Sequence, residues 1–243
     1  MSREPVFNAP PGVVRAMAVL AVVHVIVWHM LPDATAYQVL EWFAFIPARY
    51  TGTLVDPVFG WLPTIWSPLT HQLLHGDITH LLLNCAWLLV FGGAVAQRIG
   101  GLRFLLLGVL SGVAGAAVFL LFRFGDLVPM IGASGAVSGL MGGAFRFFFA
   151  ALDRGGFEMF RLNPRSIPLM TVRQTLSDRR FQAGAAVLVL INVFASLMAP
   201  SVSSSDGVAW QAHLGGFLFG LFCFDYFELP RRPRPHLVHT TLH

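Results

Sequence analysis

Six apolar runs, each about as long as a bilayer is thick, constrain this chain more than any other feature. A spanning α-helix needs about 20 mostly apolar residues. The runs that meet or approach this length are residues 13–31, 70–95, 103–122, 133–151, 181–198 and 208–227. Charged residues make up only 12% of the chain, about half the share of a soluble domain. The sequence therefore predicts an all-α polytopic membrane protein, a bundle of six transmembrane helices.

Residues 32–69, between the first two runs, are rich in aromatic residues but contain five prolines. Proline breaks a helix interior, so these residues form pieces too short to span a bilayer. Trp42, Trp61 and Trp66 are typical of the aromatic belt at a membrane interface. We therefore expect a long interfacial first loop that lies partly in the headgroup region.

The arginines predict how the chain crosses the membrane, and no lysine is present. With six spans, fourteen of the sixteen arginines fall on one side, and only Arg49 and Arg123 fall on the other. The positive-inside rule places the arginine-rich side, and with it both termini, in the cytoplasm. An even number of spans requires the termini to share a side, so the two inferences agree.

This orientation divides the chain into a tail, a membrane domain and a second tail. The predicted segments are a cytoplasmic tail at 1–12, the six-span domain at 13–227 with a cytoplasmic loop of little core at 153–180, and a basic cytoplasmic tail at 228–243. The last of these is expected to be disordered or associated with anionic lipid. No basic face alternates with stacking aromatic residues, which argues against nucleic acid as a partner. Cys85 and Cys223 lie in apolar runs and are interpreted as small buried hydrophobic residues.

Polar residues recur in the first thirds of the second, fourth and sixth runs, which all cross in the same direction. They are His71, His75, His80, Asn84, Ser134, Ser138 and His213. Arg146 follows Ser134 by twelve residues, or about 18 Å of helix. If Arg146 snorkels to the cytoplasmic interface, Ser134 lies about 10 Å below the outer surface. Gly132 then belongs to a loop that dips into the membrane, and Ser134 to the first turn of a helix.

These residue types suit acyl transfer. A serine hydroxyl becomes nucleophilic when a base takes its proton, and histidine titrates near neutrality. Ser134 and His213 could therefore form a catalytic pair. His80 and Asn84 are four residues apart on one helix face, and with the Ser134 backbone N–H they could stabilise an oxyanion. Asp77 and Asp206 are expected at the outer rim and Asp225 near the inner end, so a third catalytic residue is not supported.

Two stripes of small residues at four-residue spacing favour close helix packing in lipid. They are Gly135, Gly139 and Gly143 in the fourth run, and Ala212, Gly216 and Gly220 in the sixth. A serine in such a helix also serves as interhelical glue, so the residues alone leave Ser134 open to both interpretations. His71 and His75 are interpreted as interfacial and structural. A metal site formed by these two and His80 is disfavoured because their spacing is not periodic.

Three motifs, in order along the chain, resemble those of the rhomboid intramembrane serine protease family. HGDITHLLLN resembles its H-x-x-x-N element at His80 and Asn84, and GASG resembles its G-x-S-G element at Ser134. AHLGGFLFG resembles its A-H-x-x-G-x-x-x-G element at His213, Gly216 and Gly220. The resemblance runs from about residue 66 to residue 227, through all but the first span.

The resemblance implies a six-helix bundle with a water-accessible cavity open to the outside. It implies Ser134 as nucleophile, His213 as general base, and an oxyanion hole formed by His80, Asn84 and the Ser134 N–H. It also implies transmembrane protein substrates, no cofactor or metal, and a place in a bacterial inner membrane. Two departures concern the anchoring of the first loop and the packing of His213. Ser67 follows Trp66 where some bacterial members have arginine, and Ser138 stands where some have tyrosine.

Two other functions remain as alternatives. A catalytically silent rhomboid-like scaffold would bind membrane clients without cleaving them, but its usual mark is loss of the serine or the histidine, and both are present. A transporter or proton pathway could use the intramembrane histidines. It would predict repeat symmetry or paired broken helices, and the sequence has neither.

Overall fold

The computed structural model describes residues 9–198 and 209–229. Its α-helices are α1 (Pro11–Val25), α2 (Asp33–Phe43), α3 (Pro63–Thr70), α4 (Ile78–Trp87), α5 (Gly93–Ile99), α6 (Gly101–Phe122), α7 (Ser134–Leu162), α8 (Val172–Ser177), α9 (Arg179–Met198) and α10 (Trp210–Cys223). Two π-helical turns, Ile26–Met30 and Leu88–Gly92, extend α1 and join α4 to α5. The remaining helices are 3-10 turns at Pro47–Thr51, His71–Leu73, Pro164–Ser166 and Phe224–Phe227.

This is an all-α polytopic membrane fold, as the apolar runs predict, and each of the six runs contains a helix. Four helical stretches in the described part of the chain are long and apolar enough to cross a membrane. They are Pro11–Met30, Ile78–Ile99, Gly101–Phe122 and Ser134–Leu162. The fifth and sixth runs correspond to α9 and α10.

The predicted start of the second span at residue 70 is wrong. Thr70 ends α3, and the chain then turns through His71–Leu73 before α4 begins at Ile78. The carboxylate of Asp77 accepts a hydrogen bond from the backbone N–H of His80 at 2.8 Å, an N-cap that defines the true start. The first loop is made of short pieces, as predicted, but two of these pieces are the helices α2 and α3.

The fourth span is longer than its apolar run suggests. The α7 backbone is helical from Ser134 until Gly155 and Gly156, whose dihedral angles are not helical. Gly156 has φ +67°, a left-handed conformation that glycine adopts without strain. The break ends the long helix. A second helical segment follows it, ends at Leu162 and packs against the bundle through Phe160.

The prediction that residues 153–180 have little core is wrong. Phe160 and Ile167 are fully buried and belong to the main hydrophobic cluster. The buried Arg98 side chain donates to the carbonyls of Pro164 at 2.6 Å and Ile167 at 2.9 Å. Because these carbonyls come from a loop far along the chain, the loop packs against the bundle.

The expectation that Arg146 snorkels to the cytoplasmic interface is wrong. Its residue exposure is 1%. The guanidinium donates to the carbonyls of Met170 and Leu221 at 2.7 and 3.0 Å and pairs with Asp225 at 2.9 Å. The side chain is therefore satisfied by protein groups. Below, the Ser134 end and the Arg146 end of the bundle denote the regions around these two residues of α7.

Glycines allow α7 to approach α10 closely. A Cβ atom on Gly216 would lie 2.0 Å from the carbonyl oxygen of Gly135, and one on Gly220 would lie 1.8 Å from that of Gly139. Both separations are far below van der Waals contact, so the two backbones touch. At Gly143 the neighbour is the ring of Phe224, 2.4 Å from the position of a Cβ. The contact sets the distance between α7 and α10 along the whole helix pair.

Candidate active site

The first turns of α4 present His80 and Asn84. The Asp77 cap holds the turn that carries His80. One turn later, the Asn84 amide nitrogen donates to the carbonyl of His80 at 3.0 Å. Asn84 is 4% exposed, so its amide is a hydrogen-bonding group inside the bundle. Both residues are therefore fixed to one short piece of helix.

Gly132 lies between His80 and Ser134. It has φ +118°, and its N–H donates to the carbonyl of His71 at 2.9 Å. A Cβ atom at this position would lie 2.7 Å from both Cε1 and Nε2 of His80 and 3.8 Å from Oγ of Ser134. The imidazole edge and the hydroxyl therefore surround the same point, and only glycine leaves that point clear.

Ser134 is the first residue of α7. The first N–H groups of a helix have no partner within it, and the helix dipole is positive there. The preceding residue, Ala133, provides no side-chain cap. A hydroxyl at this position has donor groups beside it, which suits a reaction that develops negative charge.

His75 holds the residue before the serine, a role that the sequence analysis missed. Its Nε2 accepts from the N–H of Ala133 at 3.5 Å, and its ring packs edge-on to His80 with centroids 5.0 Å apart. Burial, and secondarily the charge of His80, lowers the pKa of His75 to about 4. The neutral imidazole that results has the lone pair that this hydrogen bond needs.

His71 and His75 are 2% and 1% exposed, and both have structural roles inside the bundle. The available signal in the sequence was the pair of histidines ahead of α4, His71 and His75. It could not show that a carbonyl of His71 and a ring nitrogen of His75 would bind residues 132 and 133. In the described residues, no group of three or more histidine, cysteine or acidic side chains could hold a metal ion.

The start of α10 carries His213 close to the start of α7. The Ala212 carbonyl oxygen lies 3.5 Å from the position of a Cβ on Gly135. The residue after the candidate nucleophile therefore touches the residue before the candidate base. His213 is half-buried in the first turn of α10. Ser138 is also half-buried, one turn below Ser134.

The two described aspartates that the sequence analysis considered have structural roles. Asp77 caps α4, and Asp225 pairs with Arg146 at the opposite end of the bundle. Asp206 lies outside the described residues. A cavity of about 580 Å³ is lined by residues of the Arg146 end, including Asp153 and Arg180, and by none of the candidate site residues.

The first loop is anchored although Ser67 follows Trp66. The indole N–H of Trp66 donates to the carbonyl of Trp42 at 2.8 Å. The buried Arg49 side chain donates to the carbonyl of Ala44 at 2.7 Å. Anchoring thus comes from an arginine earlier in the loop, which no motif in the sequence indicated.

A bundle of apolar helices with serine, histidine and asparagine near one end defines a polytopic membrane protein with a polar site among its helices. The chain belongs to the rhomboid family, because residues 63–227 of its 243 match the Rhomboid domain. This match covers all the candidate site residues.

Several curated relatives are similar in sequence to parts of the chain. It is 38% identical over 84 residues to RHOMBOID-like protein 4 of Arabidopsis thaliana, which covers 35% of this chain and 21% of the relative. It is 27% identical over 166 residues to Rhomboid protease GluP of Bacillus subtilis, covering 68% and 27%. It is 34% identical over 113 residues to Putative rhomboid protease YdcA of the same species, covering 44% and 56%. The matches thus span from about a fifth to just over half of these relatives' lengths.

Proposed function

We propose that the protein is an intramembrane serine endopeptidase that cleaves transmembrane or membrane-anchored proteins within or near their membrane segment. The observation that carries this proposal is the placement of the His80 imidazole and the Ser134 hydroxyl around Gly132, at the N-terminus of α7. Family membership and relatives named as rhomboid proteases support it.

In the first step, His213 takes the proton of the Ser134 hydroxyl while Oγ attacks the scissile carbonyl carbon. The proton then passes to the leaving amine, and an acyl-enzyme ester remains. Water, deprotonated by His213, attacks the ester and releases the acid and the free serine. This dyad needs no cofactor, and the acidic residues of the structure take no part in these steps.

The oxyanion formed in each step is negatively charged and needs donors aimed at it. We assign this role to the imidazole of His80, the amide of Asn84 and the backbone N–H of Ser134. The helix dipole of α7 acts in the same direction. Fixing His80 and Asn84 on one piece of helix, and Ser134 on another, organises the donors before substrate arrives.

The substrate class follows from membrane physics. A spanning helix hides its carbonyls in internal hydrogen bonds, so cleavage requires local unwinding. Substrates with glycine or proline near the cleaved bond are therefore favoured. The partners are transmembrane substrates and the lipid bilayer.

The same proposal places the protein in a bacterial inner membrane with both termini cytoplasmic. Residues 13–227 form the protease domain between a tail at 1–12 and a basic tail at 228–243. The positive-inside distribution of the arginines supports this orientation.

The test is reconstitution of the full chain with a single-span substrate, comparing the wild type with Ser134→Ala, His213→Ala, Asn84→Ala and Ser138→Ala. We expect Ser134→Ala and His213→Ala to lower the cleavage rate at least about 10³-fold. Asn84→Ala should lower it about 10²-fold, and Ser138→Ala should remain within a few-fold of wild type.

Two results would change the proposal. Cleavage that survives Ser134→Ala but is lost in Ser138→Ala would move the nucleophile one turn along α7. Specific binding of several substrates without cleavage by any form would favour the scaffold function.

A further inference from the structure

The C-terminal end of α2 is closed by side chains from later parts of the first loop. The last carbonyls of a helix have no partner within it. The last three carbonyls of α2 and the carbonyl of its C-cap residue, Ala44, each accept from a side chain. The pairs are Arg49 to Glu41 and Ala44, Trp66 to Trp42, and Thr70 to Phe43. The end of α2 is therefore a fixed point rather than a frayed terminus.

Arg49 contributes most to this closure because it serves two of the four carbonyls. The residue is 8% exposed. A planar guanidinium carries several N–H donors in a rigid fork, so it can bind two acceptors at once and hold their separation. Burial makes these bonds necessary, because an unsatisfied buried charge is costly.

The closed helix end leads directly to the segment before the candidate nucleophile. Phe45, the next residue, exchanges two backbone hydrogen bonds with Met130, at 3.0 and 2.8 Å. Ala48 adds a third by donating to the carbonyl of Asp126 at 2.9 Å. Phe45 and Met130 are both nearly fully buried. The end of α2 and residues 126–130 are thus held together like two short strands.

Only three residues separate this bridge from Ser134. Gly132 and Ala133 within that interval are themselves bonded to His71 and His75. Because the interval is short and hydrogen-bonded, a displacement of Met130 also displaces Ser134. We propose that Arg49 is a positioning residue for Ser134, acting through the end of α2 and the Phe45–Met130 bridge. This inference rests on the proposed function, since it concerns the placement of the nucleophile.

The experiment uses the full chain in detergent and compares Arg49→Met with a matched control, Arg146→Met. Each variant removes a buried arginine that donates to two backbone carbonyls, but Arg146 lies about three turns along α7 from Ser134. The first measurement is the rate at which a fluorophosphonate labels Ser134, per mole of folded protein. The second is amide hydrogen exchange of residues 126–133.

We expect Arg49→Met to slow labelling about 10- to 100-fold, the effect of a small misplacement of a reacting group. Exchange over residues 126–133 should rise in the same variant. Substrate cleavage should show a lower kcat with little change in KM. Arg49→Lys, which can reach one carbonyl, should recover part of the labelling rate. Arg146→Met should label at the wild-type rate and leave exchange in this segment unchanged.

Labelling of Arg49→Met at the wild-type rate would overturn the proposal, as would equal slowing in Arg146→Met. If Arg49→Met does not fold, Arg49→Lys is compared with the same control. If the wild type is not labelled at Ser134, the proposed function fails. Hydrogen exchange then still decides whether Arg49 holds residues 126–133 in place.

Discussion

The regions of α7 around Ser134 and around Arg146 are stabilised by different kinds of contact. At the Ser134 end, backbone groups are held by hydrogen bonds from Gly132 and Ala133, and glycine brings α10 close. At the Arg146 end, aromatic rings fill the space. They are Phe145, Phe147, Phe148, Phe149, Phe160, Phe181, Phe217 and Phe224. Directional bonds place atoms at the first end, and apolar burial stabilises the second.

The buried arginines of the two regions also differ in their partners. Arg49 donates to backbone carbonyls of the first loop. Arg98 and Arg146 also donate to carbonyls, but each adds a carboxylate, Glu228 or Asp225. Those carboxylates follow the end of α10. The arginines of the second end therefore join the last span to the middle of the chain, while Arg49 organises a local turn.

The largest expected effect comes from filling the gap between α7 and α10 at the Ser134 end. In Gly216→Ala, the new methyl would lie 2.0 Å from the carbonyl oxygen of Gly135, and backbone cannot move aside as a side chain can. We expect a loss of about 3 kcal/mol or more in the free energy of unfolding. Thermal unfolding in detergent measures it.

Gly184→Ala on α9 is the control, because nothing lies within 4 Å of a Cβ there. It should be neutral or slightly stabilising, as alanine favours a helix. Equal stability of the two variants would show that the close approach of α7 and α10 does not govern this end.

Arg146→Met should destabilise the protein by about 2 kcal/mol, an intermediate effect. The carbonyls of Met170 and Leu221 lose their donor, and a buried acceptor without a partner is costly. Chemical denaturation measures the loss. Labelling of Ser134 in the folded fraction should be unchanged, so a parallel loss of labelling and stability would remove the distinction between the two ends.

The smallest expected effect is a difference in pH response. The pKa of His75 is lowered by burial, so the unfolded chain binds a proton that the folded chain excludes as the pH falls from 6.5 toward 4. Stability therefore falls in this window. At the other end, Asp178 has a pKa lowered below 3.8 by hydrogen bonds from Arg180. Its contribution is complete above pH 3.8 and is lost only at more acidic pH.

Melting temperatures at pH 7 and pH 5 separate the two residues. From pH 7 to pH 5, the free energy of unfolding of His75→Gln should fall by about 1 kcal/mol less than that of the wild type. That of Asp178→Asn should change as much as that of the wild type. An unchanged pH response in His75→Gln would contradict the assignment of this proton to His75.

Local patterns predicted the parts of the molecule that depend on local physics. The predicted loop at Gly132 and the predicted helix start at Ser134 are both present, although they were inferred from a position of Arg146 that the structure contradicts. The predicted start of the second span was too early, because residues 70–77 are mostly polar and the Asp77 cap decides the boundary.

The remaining errors concern contacts between distant segments. Phe160 and Ile167 sit in a polar stretch, which packs onto the bundle through these two side chains and through carbonyls that accept from Arg98. The acceptors of Arg146 come from two later segments, so the sequence predicted exposure instead. Likewise, no local pattern relates Arg49 to the end of α2.

The partners of Arg146 also have a consequence for synthesis of the chain. Met170, Leu221 and Asp225 all follow Arg146 in sequence, and the last two belong to the end of α10 and the turn after it. Translation proceeds from the N-terminus, so α7 is synthesised before any of these acceptors. Docking of α10 therefore completes the surroundings of Arg146 as well, and a chain that ends before α10 lacks two of the three partners of this arginine.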